Sequence, residues 1–289
     1  MVKLAVIRGD GIGGDCMASG LAVMEKALAY AGLSMPVMDD IAAGAGYFAE
    51  TGRDIEPDGE DRAGAADAIF LGAIGLPGIR HADGTEISPH LRLRDHFGLY
   101  AGVRPVRAWP NAPRLLAAEA ASGIDLVLIR ESTEGLFYSA AVHGRSVIHG
   151  DTGVDETLRI TRATSEKLHR FAFRLTEKRK SRGKPGRLTC VDKANVFTSM
   201  AFFRSIFDEV AAGFPGVAHD YCYVDAMALE LVRRPWEYDV MVTENMFGDI
   251  LSDLASELTG SLGLAGSLNA GLTHCAAQAQ HGSAPDLAG

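Results

Sequence analysis

"VIRGDGIGGD", residues 6–15, decides how the first part of the chain is read. It follows a strand-like run, "VKLAVI" at 2–7, and precedes a helical pattern over 15–31, "DCMASGLAVMEKALAYA". Gly9, Gly11 and Gly14 satisfy G-x-G-x-x-G, in which a strand-to-helix turn holds the pyrophosphate of a dinucleotide. Asp39, at the end of the strand-like "LSMPVMD", stands where such a site would place its ribose-binding acid. The competing reading is a tight turn that fits the pattern and binds nothing. The stretch alone does not choose.

Bulk properties narrow the field. With 289 residues the chain has room for two domains, and 47% apolar against 22% charged residues describes a globular protein with a sizeable core. Its formal charge of −9 argues against non-specific contact with nucleic acid or an anionic membrane. Cys16, Cys190, Cys222 and Cys275 are scattered, with no C-x-x-C spacing, which suits reduced thiols better than a disulfide frame or a zinc site. Without a signal-like start or a long apolar run, a cytoplasmic protein is expected.

Short apolar runs alternate with longer helical patterns, as in α/β proteins. Strands are expected at "DAIFLGAIG" (67–75), "GVRPVRAW" (102–109), "IDLVLIRE" (124–131), "RLTCVD" (187–192) and "YDVMVTEN" (238–245), with a strand end at "YCYVD" (221–225). Helices are expected over about 155–182, within "NVFTSMAFFRSIFDEVAAGF" (195–214), at "AMALELVRR" and at "MFGDILSDLASELTG". The β-like stretch 138–153 sits badly inside a compact α/β unit, and pairing with another subunit would explain it.

Asp249 and Asp253 lie four apart in the last of these helices, so both carboxylates fall on one face. Two such acids are either a solvated face or oxygen ligands for a hard divalent ion. Asp225 ends its apolar run either as a helix cap or as an acid facing a ligand crevice. Lys193 and Asn195 follow a strand in the same way; a lysine beside carboxylates can move protons, or it can be an ordinary surface residue. Arg94, Arg104 and Arg130 stand in otherwise apolar contexts, where an unpaired charge is costly. Internal ion pairs would satisfy them, and so would an acidic substrate with two or more carboxylates.

Taken together, "GDGIG", "LRLRDHFGLYAGVRPV", "IRESTEG", "VDKANV", "YVDAMALELV", "VTENMFGDILSDLASELTGSLG" and "HGSAPDLAG" span nearly the whole chain. In order and spacing they resemble the isocitrate/isopropylmalate dehydrogenase family of metal-dependent β-decarboxylating dehydrogenases, most nearly its isopropylmalate, tartrate and D-malate members. The resemblance implies a two-domain α/β fold with a mixed central sheet, not a Rossmann fold. Residues 1–99 with 260–289 would form the large, cofactor-side domain, C-terminally short for the family. Residues 100–259 would form the small dimerisation domain, with an intersubunit β clasp near 138–153.

The resemblance also implies roles. Arg94, Arg104 and Arg130 match the arginines that clamp a malate-type substrate, and Asp225, Asp249 and Asp253 match the Mg²⁺ or Mn²⁺ ligands. Lys193 matches the proton-transfer lysine; it and Asp225 would enter the site of the neighbouring subunit of a homodimer. His281, Gly282, Ser283, Ala284 and Asp286 match the cofactor loop, with Asn195 also on the cofactor. Asp286 favours NAD, because a carboxylate suits ribose hydroxyls and repels a 2′-phosphate. The glycine turn then lies close to the cofactor without cradling its pyrophosphate.

Three departures qualify this picture. Phe137 occupies the position of the reprotonating tyrosine, leaving Tyr138 or water as donor. "GTEISPHLRLR" places Ser88 and His90 where isopropylmalate enzymes carry an apolar patch, which favours D-malate, tartrate or another polar 2-hydroxy diacid over isopropylmalate. Finally, Gln278 replaces a usual glutamate, and family members run on past the position of Gly289 with further cofactor contacts. A non-catalytic regulatory subunit is the alternative of another class, although the three aspartates, the lysine and the three arginines are all present.

Overall fold

The structure, a computed structural model, describes residues 1–137 and 146–289. In chain order it begins with β1 (Lys3–Ile7), α1 (Gly13–Tyr30), β2 (Val37–Asp40), α2 (Ala45–Thr51), α3 (Gly59–Gly64), β3 (Ala68–Leu71) and α4 (Pro89–His96). Then come β4 (Ala101–Arg107), β5 (Asp125–Glu131), the short β6 (Val147–Ile148) and β7 (Val154–Asp155), α5 (Arg162–Lys180), β8 (Arg187–Asp192) and α6 (Thr198–Ala211). β9 (Ala218–Tyr223), α7 (Val224–Arg233), β10 (Val240–Thr243), α8 (Asn245–Glu257), β11 (Gly266–Ala270) and β12 (Cys275–Ala279) follow. Two compact units emerge: Met1–Leu99 with Gly266–Gly289, and Tyr100–Ala265.

In the first unit the strands run β2-β1-β3-β12-β11, parallel except for the antiparallel β11–β12 pair. Leu4 through Ile7 are all buried, as expected of a parallel strand covered on both faces. Alternation sorts them: Ala5 and Ile7 pack with Ile41, Ile55, Ile69 and Leu71, while Leu4 and Val6 pack with Met17 of α1.

In the second unit the order is β4-β5-β10-β8-β9, parallel except for β4–β5. One cluster joins Leu126, Leu128, Val191 and Met241 to Met227 and Leu231 of α7 and Leu251 and Ala255 of α8. Beneath α5 and α6 lies an aromatic group in which Phe173 stacks on Phe214 and packs against Phe207. His169, fully buried beside Phe203 and Phe207, has its pKa pushed down to about 3 by burial, so the ring is neutral.

Three boundaries differ from the sequence reading. The helix expected from 155 starts at Arg162: Thr161 caps it, and Val154–Asp155 pairs instead with Val147–Ile148 in an antiparallel ladder. One strand of that ladder, Val147–Ile148, falls in the β-like stretch 138–153, of which 138–145 lie outside the described residues. β9 ends at Tyr223, which takes the N-cap position of α7, so Asp225 sits in the first helical turn and is not the cap. The small-residue segment 275–279 is a strand in the body of the first unit's sheet.

Candidate functional site

The glycine turn is closed by the protein itself. Gly9 and Gly11 have φ of +75° and +52°, in the left-handed region that favours glycine. A Cβ at Gly9 would collide with the Ala73 carbonyl oxygen, and one at Gly11 with that of Ser283. The backbone N–H groups of Asp10 and Ile12 donate to these same carbonyls, each at 2.7 Å. Gly14, the third glycine of the pattern, has open space around it; Gly13 makes the close helix–strand approach.

Two further residues finish the answer to the opening question. The buried Asp10 carboxylate accepts the N–H groups of Ala45, Gly46 and Gly75, each at 2.8 Å, tying the turn to the start of α2. Asp39 is ion-paired to Arg62, which also reaches Glu56. The turn is thus a structural junction, and its would-be ribose acid already has a cationic partner.

Other candidates of the first unit lie on the loop 281–286 and around α4. Ser283 is buried, with its hydroxyl donating to the Gly75 carbonyl. Ala284 has φ +34°, a left-handed conformation unusual for alanine. His281 Nε2 lies 3.8 Å from Cys16 Sγ, while Gly282 and Asp286 are exposed. Ser88 occupies the N-cap position of α4; His90 and the buried Arg94, four apart, follow on one face of it.

The second unit assembles the charged groups. Arg104 of β4 and Arg130 of β5 are 2% and 4% exposed, which makes them buried cations. Antiparallel pairing sets Arg130 opposite Gly102 and Arg104 opposite Leu128, so both arginines share one sheet face. Arg104 has its pKa lowered to about 10, by burial first and then by the Arg130 charge, with Asp249 and Asp253 opposing. Burial likewise lowers Arg130, again opposed by Asp249. Asp249 is ion-paired to Arg130 and its side chain remains 43% exposed.

Elsewhere in this unit, Lys193 beyond β8 is ion-paired to Asp225 of α7, and that contact lowers the Asp225 pKa. Asn195 is exposed in the same loop. Tyr138 lies outside the described residues; the neighbouring Phe137 has its ring centre 5.1 Å from the Arg130 guanidinium carbon. Among the described residues, no three His, Cys, Asp or Glu side chains gather into a metal-binding group. Asp249 and Asp253 lie one helical turn apart on α8, and among the described residues no third such side chain gathers with them.

Sequence reasoning passed over two buried residues. One is Asp10. The other is Asn245, 1% exposed, whose carbonyl oxygen accepts from both Nε and Nη2 of Arg130. Its only sequence signal is its place four residues before Asp249.

Comparison with known proteins decides the family. The model for "Isocitrate/isopropylmalate dehydrogenase" matches residues 3–289. The chain belongs to the isocitrate/isopropylmalate dehydrogenase family. It is 37% identical to 3-isopropylmalate dehydrogenase of Moorella thermoacetica, over 100% of this chain and 80% of the relative. The Xanthomonas euvesicatoria protein of the same name is also 37% identical, over 99% and 80%.

Among solved structures, isocitrate dehydrogenase from Methylococcus capsulatus aligns with a TM-score of 0.85 at 31% identity, covering 100% of this chain and 80% of that one. A beta-decarboxylating dehydrogenase from Thermococcus kodakarensis gives 0.74 at 34%, covering 100% and 78%. The protein is a β-decarboxylating dehydrogenase of the isocitrate/isopropylmalate dehydrogenase family, an oxidoreductase acting on a CH–OH group with a nicotinamide cofactor. The family consists of dimeric enzymes acting on small molecules, typically with NAD(P) and a divalent metal. No helix among the described residues is long and apolar enough to cross a membrane.

Proposed function

We propose that the enzyme oxidises and decarboxylates a (2R)-malate-type 2-hydroxy diacid with NAD and Mg²⁺ or Mn²⁺, and that this diacid is 3-isopropylmalate. The observation that carries the reaction class is the charge set of the second unit: two buried arginines facing two carboxylates one helical turn apart. That set sums to zero, and adding a divalent cation with a dianionic substrate leaves it at zero. The relatives named 3-isopropylmalate dehydrogenase, at 37% identity, support the choice of substrate.

Asp249 and Asp253 would hold the metal, completed by Asp225 from a second copy. The donor set fits: all are hard carboxylate oxygens, and Asp249 lies at the open border of its helix. When bound, the ion lowers the pKa of the substrate hydroxyl and withdraws electrons from the keto group during loss of CO₂. Arg94, Arg104 and Arg130 bind and orient the two carboxylates, because guanidinium groups match carboxylate geometry. Lys193, supplied with Asp225 by the second copy, would take the proton of the substrate hydroxyl, and a bound nicotinamide would supply the hydride acceptor for C2. Phe137 carries no proton to return, so reprotonation falls to Tyr138 or water. Exposed Leu229 and Val232 of α7 and Ile250 of α8 give the second copy an apolar surface to cover.

His281, Gly282, Ser283, Ala284 and Asp286 would receive the nucleotide, and Asn195 is the further cofactor residue that the family resemblance names. The exposed Asp286 favours NAD over NADP for the ribose reason given above. A second substrate reading rests on Ser88 and His90 beside Arg94: their polarity favours D-malate or tartrate over an isopropyl group.

NADH formation with Mn²⁺ across 3-isopropylmalate, D-malate, D-tartrate and isocitrate separates the readings. The highest kcat/KM is expected for 3-isopropylmalate. A lead for D-malate or tartrate would instate the second reading, and no turnover of any of the four would overturn both.

A further inference from the structure

Arg130 can orient a substrate carboxylate only if its own position is fixed, and the structure shows what fixes it. Its guanidinium carries five N–H groups. Nε donates to Asn245 Oδ1 at 2.9 Å and Nη2 to the same oxygen at 2.7 Å, while Nη1 donates to Asp249. Among the described residues these two side chains take three of the five. Asn245 is itself pinned, because its Nδ2 donates to the Glu134 carbonyl at 2.9 Å. Arginine and asparagine are both almost fully buried, so neither has water as an alternative partner.

The same helix also shapes the stem of the arginine. A Cβ at Gly248 would lie 2.6 Å from Arg130 Cγ and 2.7 Å from its Cβ. Glycine there lets the first turn of α8 lie flat against the side chain. An amide at 245 has a property that a carboxylate would lack: it holds the guanidinium by hydrogen bonds and adds no negative charge to the one Asp249 already sets beside it.

We infer that Asn245 is a positioning residue for substrate binding, a neutral clamp that fixes Arg130 without adding a second negative charge to that of Asp249, with Gly248 as the platform beneath it. This rests on the reading of Arg130 as a ligand for the substrate carboxylate. Since Asn245 would act on binding more than on the chemical step, its loss should raise KM and spare kcat.

The test uses the full-length protein with Mn²⁺ and NAD, and as substrate whichever of the four diacids gives the highest kcat/KM. Asn245→Ala is expected to raise the diacid KM about tenfold, the loss of a charge-assisted hydrogen bond. Its kcat should stay within about threefold and its KM for NAD should not move. Asn245→Asp keeps an acceptor oxygen but sets a second carboxylate beside Asp249 on the arginine, which repels the substrate anion, so its KM should rise further than that of Asn245→Ala. A merely structural asparagine predicts lowered melting temperatures with the diacid KM unchanged, and that result overturns the inference.

Should the Asn245 variants fail to fold, Gly248→Ala provides the second arm. It keeps Asn245 and displaces the arginine stem from it, so the diacid KM should again rise; an unchanged KM there overturns the inference. Arg130→Lys is the control for the underlying reading. If it leaves the diacid KM unchanged, Arg130 does not bind the substrate, and that reading falls first. If Arg130→Lys raises KM while Asn245→Ala does not, the positioning role alone is wrong.

Discussion

The glycine turn at 9–13 and the first turns of α8 both announce a site in sequence, and they end as opposites. In the turn the protein itself occupies the place a ligand would take: carbonyls of Ala73 and Ser283 fill the space above Gly9 and Gly11, and Asp10 takes three backbone N–H groups. In α8 the acids stand at a border, with Asp249 partly exposed beside a buried arginine. The difference teaches that a motif names the geometry of a backbone. Whether it binds anything depends on which of its polar groups the fold has left over.

The largest effect should come from the open end of this contrast. Asp249→Asn is expected to lower Mn²⁺-dependent kcat/KM by at least about 100-fold. The neutral amide also leaves the buried Arg130 without that counter-charge, so the melting temperature should fall as well; a variant with unaltered metal-dependent rates would remove Asp249 from the site.

Next comes the closed end. Asp10→Ala leaves three N–H groups without their acceptor and should destabilise the protein by about 3 kcal/mol in denaturant titration. A loss well below about 1 kcal/mol would mean that Asp10 does not organise the turn.

The smallest effect belongs to the acid that the Rossmann reading would have chosen. Asp39→Ala breaks a partly exposed ion pair with Arg62, so the melting temperature should shift by less than about 2 °C and the KM for NAD should stay put. Asp286→Ala, by contrast, should raise the KM for NAD severalfold. A reversal of these two results would return the cofactor to the glycine turn.

Much of the architecture was legible because it follows from periodicity. Leu4–Ile7 and Val240–Thr243 are continuous apolar runs that fold as strands buried along their length; of the stripe Ile250, Leu251, Leu254 and Leu258 expected to be buried on α8, the three leucines pack into the core and Ile250 is exposed. The errors came where local pattern and tertiary partner disagree. Residues 155–161 look helical until Val154–Asp155 pairs with Val147–Ile148. Residues 275–279 are too small and polar to read as a strand; β3 and β11 on either side make them one.

The site divides in the same way. Its charged residues were visible because charge in an apolar context needs a reason, as with Arg104 and Arg130. Asn245 and Asp10 carry no such flag. Their roles depend on groups distant in sequence, such as Arg130 for the first and Ala45 and Gly75 for the second.

The first unit is assembled from both ends of the chain, which has a consequence during synthesis. Its strand β12 lies between β3 and β11 and cannot be placed until residues 275–279 have left the ribosome. At ordinary elongation rates the intervening 100–265 take roughly ten to thirty seconds to appear. Throughout that interval β3 is a nascent sheet edge awaiting its neighbour, and by its end every described strand of the second unit's own sheet has been made. Vectorial synthesis therefore completes the inserted unit before the unit that surrounds it in sequence, and β3 is the place where a nascent chain would be exposed to chaperones or to misassembly.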